Sequence, residues 1–176
     1  IFDEFVDRFI AATRELKVDD PGLATTQIGP MVSKSQRENA EAFIEQARSS
    51  GRQIASGGHR PFERGYFLSP TVVLEPEVGD SCWRDEIFGP VVCIRRFKDE
   101  ATMLQEVNDT PYGLSGSIWT RTSWFCLWTI GVAAEKCHRS KMLCFLLASL
   151  GIPLGHSSSD TSCPTFSIGT MAMLER

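Results

Sequence analysis

Val91 to Phe97 is a largely apolar run, broken only by Arg95 and Arg96, and it begins directly after a Gly89-Pro90 bend. A run of that length with apolar residues at both odd and even positions suits a strand covered on both faces. Such a strand needs layers above and below it, so the rest of the chain has to supply them. Helical and strand-like segments alternate around it. Phe2, Phe5, Val6, Phe9 and Ile10 fall on one face of a helix predicted over 2–16, which Asp19, Asp20, Pro21 and Gly22 close. Ser33 or Ser35 caps a second predicted helix to Ser49, with Ala40, Phe43, Ile44 and Ala47 inward and Gly51 at its end. Gln53 to Ala55 reads as a short strand before a Gly57-Gly58 turn. Tyr66 to Leu74 reads as a strand that, because of Pro70, lies at an edge or starts after that residue. Glu100 to Asn108 reads as a helix and Gly116 to Trp119 as a further strand. Strands alternating with helices predict an α/β layered sheet with flanking helices.

The bend ahead of the two-faced strand holds a carboxylate and an aromatic ring, Glu86 and Phe88, within Asp85-Glu86-Ile87-Phe88-Gly89-Pro90-Val91. A vicinal diol offers two donors that one carboxylate can accept together, and a ring can lie against a flat heterocycle. A solvated surface glutamate and a core phenylalanine are the plainer reading of the same residues.

Four ordered blocks weigh against that plainer reading. Glu86-Ile87-Phe88-Gly89-Pro90 resembles the cofactor-ribose motif of the aldehyde dehydrogenase superfamily. Gly65-Tyr66-Phe67-Leu68-Ser69-Pro70-Thr71-Val72 is similar to that family's strand-entry motif. Asn108-Asp109-Thr110-Pro111-Tyr112-Gly113-Leu114-Ser115 with Trp119-Thr120-Arg121 resembles the segment that follows, and Ile28-Gly29-Pro30-Met31-Val32 the loop before the second helix. The resemblance covers residues 1–121 and implies the C-terminal part of that family's catalytic domain. It implies NAD or NADP as cofactor, with Glu86 on the nicotinamide ribose and Phe88 beside the nicotinamide. Gln36 matches a family position that touches the cofactor from the far side, although Asn39 departs from the basic residue often found three positions on. An aldehyde substrate and a parent homodimer or homotetramer are implied too.

The family reaction passes through a thiohemiacetal and a thioester on a cysteine in a Gly-Gln-x-Cys context. The 176 residues hold no such context, so no catalytic residue is expected here and the isolated chain is expected to be inactive. Cys93 sits in the apolar run, where an inert buried thiol is the ordinary case, and Cys82 matches no family nucleophile. The chain opens at Ile1 inside a helical pattern, which predicts a cut end. The alternative is a non-catalytic relative that serves as a scaffold or interaction module.

Residues 122–176 form a second region with four of the six cysteines and only seven charged residues, and the family's later motifs are not found there. This divergent tail reads as frame-shifted or disordered. Cys137, His138, Cys144, His156 and Cys163 lack the paired spacing of structural zinc sites, so no metal is expected. A net charge of -4 argues against a nucleic-acid partner. The longest apolar stretch, Met142 to Leu154, is interrupted and short of the roughly twenty residues of a membrane helix. Irregularly spaced cysteines without a signal peptide predict reduced thiols and a cytoplasmic setting.

Overall fold

The computed structural model of the chain describes residues 1–109, 111–112 and 170–174. Two compact units divide the chain. One runs Ile1–Asp99 and takes in a strand from near the C-terminus; the other holds the helix that begins at Glu100.

In the first unit the elements follow as α1 (Phe2–Glu15), α2 (Lys34–Ser49), β1 (Gln53–Ser56), β2 (Thr71–Leu74), α3 (Ser81–Arg84), β3 (Val91–Phe97) and β4 (Thr170–Leu174). The strands lie in the order β1-β2-β3-β4. β1 is antiparallel to β2, with an irregularity between Ile54 and Ser56. β2 and β3 run parallel, Thr71 opposite Val91 and Leu74 opposite Ile94, and β4 runs parallel on the far side of β3.

The two-faced character of β3 is used as its sequence implies. Val91 and Cys93 join Val73 of β2 in a buried cluster with Ala40, Ile44 and Ala47 of α2 and with Cys82, Trp83 and Ile87. Ile94, Val72 and Leu74 form a separate cluster with Phe2 and Val6 of α1. Alternate strand residues thus face opposite layers, α1 on one side and α2 with α3 on the other. Each fully buried aliphatic side chain contributes about 1.5–3 kcal/mol by leaving water.

Local signals set the element ends. Ser33 caps α2 by accepting from the Gln36 amide at 3.2 Å. Gly51, at φ 79°, follows its last turn. β2 starts after Pro70, whose ring would otherwise leave the ladder without a donor, and it lies inside the sheet between β1 and β3. The Gly57-Gly58 turn passes so close to Pro70 that a Cβ on Gly57 would meet the Pro70 carbonyl oxygen at 2.1 Å. α3 is one turn long. Arg52 anchors the bend before it, with Nε 2.6 Å from Asp80 Oδ2 and Nη2 2.9 Å from Glu77 Oε1.

In the second unit, α4 (Glu100–Asn108) has Met103 and Leu104 buried. The strand expected over 116–119 lies outside the described residues, as does most of the 122–176 region; β4 comes from within that region.

Candidate functional site

The Glu86–Pro90 bend stands at the amino ends of β2 and β3. The Pro90 carbonyl accepts from the Thr71 amide at 2.8 Å, so the bend continues directly into the parallel ladder. Ile87, only 1% exposed, anchors it in the core. On either side of that anchor, Glu86 is half-buried and Phe88 is 58% exposed. A large ring left in water beside a buried neighbour is a surface feature that core packing alone does not explain.

Backbone geometry sharpens this. Phe88 has φ 52°, in the left-handed region that costs a residue with a Cβ about 1–2 kcal/mol. Neighbouring contacts hold it there. Gln36, in the first turn of α2, donates from Nε2 to the Phe88 carbonyl at 2.9 Å and accepts the Val32 amide on Oε1 at 3.3 Å. One partner can only accept and the other can only donate, so the amide orientation is fixed. Gly89 then packs so closely on α2 that a Cβ there would stand 3.1 Å from Ala40 Cβ and 3.3 Å from Met31 Cε. The three expected residues are therefore brought together. Gln36 touches the bend through its backbone, and Glu86 and Phe88 extend from it.

A carboxylate acceptor beside an exposed ring fits a nucleoside diol and a flat heterocycle. A carboxylate accepts both hydroxyls, an exposed phenyl face can cover a heterocycle, and a pinned backbone limits the entropy lost on binding. The sequence did not foreshadow the Gln36–Phe88 bond, because its two ends are 52 residues apart.

Cys82 and Cys93 are both free thiols and both buried, 5% and 4% exposed. The Cys93 thiol is pushed up by its contact with Cys82 and by burial. The Cys82 thiol is drawn down by the hydrogen bond it receives from Cys93, against the opposing effect of burial. Neither reaches the Glu86–Phe88 surface as an exposed nucleophile. A cleft of about 250 Å³ elsewhere on α2 is lined by Glu41, Arg48, His59 and Arg60. Its arginines are already ion-paired, Arg48 with Glu45 and Arg60 with Glu41, so it presents no uncommitted charge from them. Among the described residues no three His, Cys, Asp or Glu side chains gather as a metal site, and no helix is long and apolar enough to cross a membrane. The five Cys and His positions weighed for zinc lie outside the described residues.

A sequence model described as the aldehyde dehydrogenase family matches residues 1–127, reaching past Arg121. The chain is 38% identical to the chloroplastic betaine aldehyde dehydrogenase of Atriplex hortensis, over 67% of this chain and 24% of that protein. It is also 38% identical to the peroxisomal aminoaldehyde dehydrogenase 1 of Malus domestica, over the same shares. Among solved structures, the NAD+ complex of a Bacillus cereus aldehyde dehydrogenase superposes with a TM-score of 0.69 at 32% identity, covering 77% of this chain and 27% of that one. The chain thus spans about a quarter of the length of the curated relatives it matches. The α/β layering expected from the sequence agrees with these structures. The cytoplasmic expectation does not hold, since similar relatives are named for the chloroplast and the peroxisome. Irregular cysteine spacing does not say which compartment holds the chain.

Proposed function

The chain belongs to the aldehyde dehydrogenase family, and from that premise we propose that it forms the nicotinamide-ribose side of the cofactor site of an NAD(P)-dependent aldehyde dehydrogenase. The observation that carries this reading is the bend itself. Its phenylalanine is exposed in a strained conformation, its neighbouring glutamate is half-buried, and Gln36 clamps its backbone.

Each residue has its own part. Glu86 accepts the ribose hydroxyls and so fixes the rotation of the sugar. Phe88 covers one face of the nicotinamide and keeps water from it. Gln36 holds the Phe88 carbonyl, and Gly89 lets the bend lie against Ala40, so the two binding groups are set before the cofactor arrives. Held there by Glu86 and Phe88, the cofactor would supply the hydride acceptor for oxidation of an aldehyde. NAD is favoured by the NAD+ complex of the Bacillus cereus relative. The aldehyde is taken to resemble the betaine and aminoaldehyde substrates for which relatives are named.

We read these 176 residues as a portion of the enzyme that does not run the reaction unaided. Support comes from the quarter-length match and from the missing Gly-Gln-x-Cys context. The purified chain, given NAD and betaine aldehyde, should produce no aldehyde-dependent absorbance at the NADH wavelength. Turnover that survives repurification and disappears in a Glu86→Gln chain would refute this part of the reading.

A further inference from the structure

Cys82 of α3 and Cys93 of β3 lie at the two ends of the segment that carries Glu86 and Phe88, and the binding role above uses neither. The Cys93 Sγ–H donates to the Cys82 carbonyl at 3.2 Å. That bond sets the Cys93 sulfur directly against the Cys82 residue. Both are free and buried in one cluster with Trp83, Ile87 and Val91, so packing keeps the two residues side by side. A lone buried thiol is ordinary; two cysteines set against each other across a bend are not accounted for by core packing alone.

The surroundings give one cysteine the role of attacking sulfur. Of the two, the Cys82 thiol is drawn down by its neighbour Cys93, whereas Cys93 is pushed up by Cys82 and by burial, so Cys82 is the readier thiolate. Cys82 sits in a single-turn helix entered through the exposed Gly79, whereas Cys93 lies inside a central strand. Local opening of this one turn, which Arg52 ties through Asp80 and Ser81 ties to Gln46, exposes its sulfur to an oxidant.

We propose that Cys82 and Cys93 are an oxidation site that closes an intramolecular disulfide across the base of the Glu86–Pro90 bend when a peroxide is the oxidant. The Cys82 thiolate attacks one oxygen of hydrogen peroxide, breaking the O–O bond and leaving a sulfenic acid and hydroxide. The Cys93 sulfur then attacks the Cys82 sulfur, the S–O bond breaks, and the oxygen leaves as water. Two thiols and one peroxide become one disulfide and two waters, and the protein gives up two electrons and two protons. The link ties α3 to β3 on either side of the bend. Its formation does not depend on the cofactor reading.

Trypsin makes the test direct, because cleavage after Arg64, Arg84 and Arg95 puts Cys82 in Gly65–Arg84 and Cys93 in Asp85–Arg95. The full chain is treated with a few equivalents of hydrogen peroxide, alkylated, digested without reductant and mapped by mass spectrometry, with a parallel sample in urea. In the native sample the two peptides should appear joined, two hydrogens lighter than their sum, as the main disulfide species. In urea that preference should fall as Cys126, Cys137, Cys144 and Cys163 compete. Cys82→Ser should leave Cys93 fully alkylated. Recovery of Cys82 and Cys93 as alkylated thiols, links mainly to the tail cysteines, or a native pattern no more selective than that in urea would overturn the proposal.

Discussion

Replacing Gly89 with alanine should destabilise the first unit by about 2 kcal/mol, and the cost should depend on Ala40. The added Cβ would stand 3.1 Å from Ala40 Cβ, whereas carbon atoms prefer roughly 3.5–4.0 Å. Met31 Cε, at 3.3 Å, ends a flexible side chain and can move aside. Ala40 cannot, since it is fully buried on a helix and has no rotamer to change. Either α2 or the bend must therefore shift, and overpacking of this kind costs about 1–3 kcal/mol. Urea denaturation of the 176-residue chain reads the loss as a midpoint shift of about 1 M for a slope near 2 kcal/mol/M. Ala40→Gly alone should cost about 1 kcal/mol, because glycine is a poor helix former. The double variant should be little worse than Ala40→Gly alone, which is a coupling of about 1.5–2 kcal/mol. Additive losses, or a Gly89→Ala chain as stable as the parent, would refute the close packing of bend on helix.

Other expectations follow from neighbouring contacts. Gln36→Ala removes the bond to the Phe88 carbonyl, worth about 1 kcal/mol, so chymotryptic cleavage after the exposed Phe88 should quicken by about fivefold. Phe88→Val should lower the urea midpoint, because a β-branched residue tolerates a φ of 52° poorly, whereas Phe88→Gly should hold or raise it. Glu41 has its carboxyl held below the ordinary range by the Arg60 hydrogen bond, against burial, with the charges of Arg60 and Arg37 adding to the effect. A depressed carboxylate contributes stability above its unfolded value of about 4.3 and loses it as pH falls through the lower folded value. Stability should therefore fall more steeply below pH ~4.3 in the parent than in Glu41→Gln, and the variant should be the less stable of the two at neutral pH.

Much of the fold was legible because its signals are local. The apolar spacing of α1, the Ser33 cap of α2 and the two-faced run of β3 each lie within one element. What was not legible depends on partners far along the chain. α3 is four residues long, too short to show a period. β4 is defined by its pairing with β3, about 75 residues earlier, and parallel partners leave no hairpin signal. At the site, residue types and the ordered blocks pointed to Glu86, Phe88 and Gln36. The positive φ of Phe88 and its clamp from α2 are tertiary facts. So is the meeting of Cys82 and Cys93, which the sequence shows only as two separate thiols.

The central claim is that Glu86 grips the cofactor ribose, and a chimera tests it most directly. Residues 1–121 would replace the matching segment of the Atriplex hortensis enzyme, and NADH formation from betaine aldehyde would be followed with and without Glu86→Gln. Hydrogen bonds to a charged group are worth about 1.5–3 kcal/mol, so the variant should raise the KM for NAD by about tenfold or more. An active chimera whose KM for NAD and kcat are both unchanged by Glu86→Gln would contradict the account.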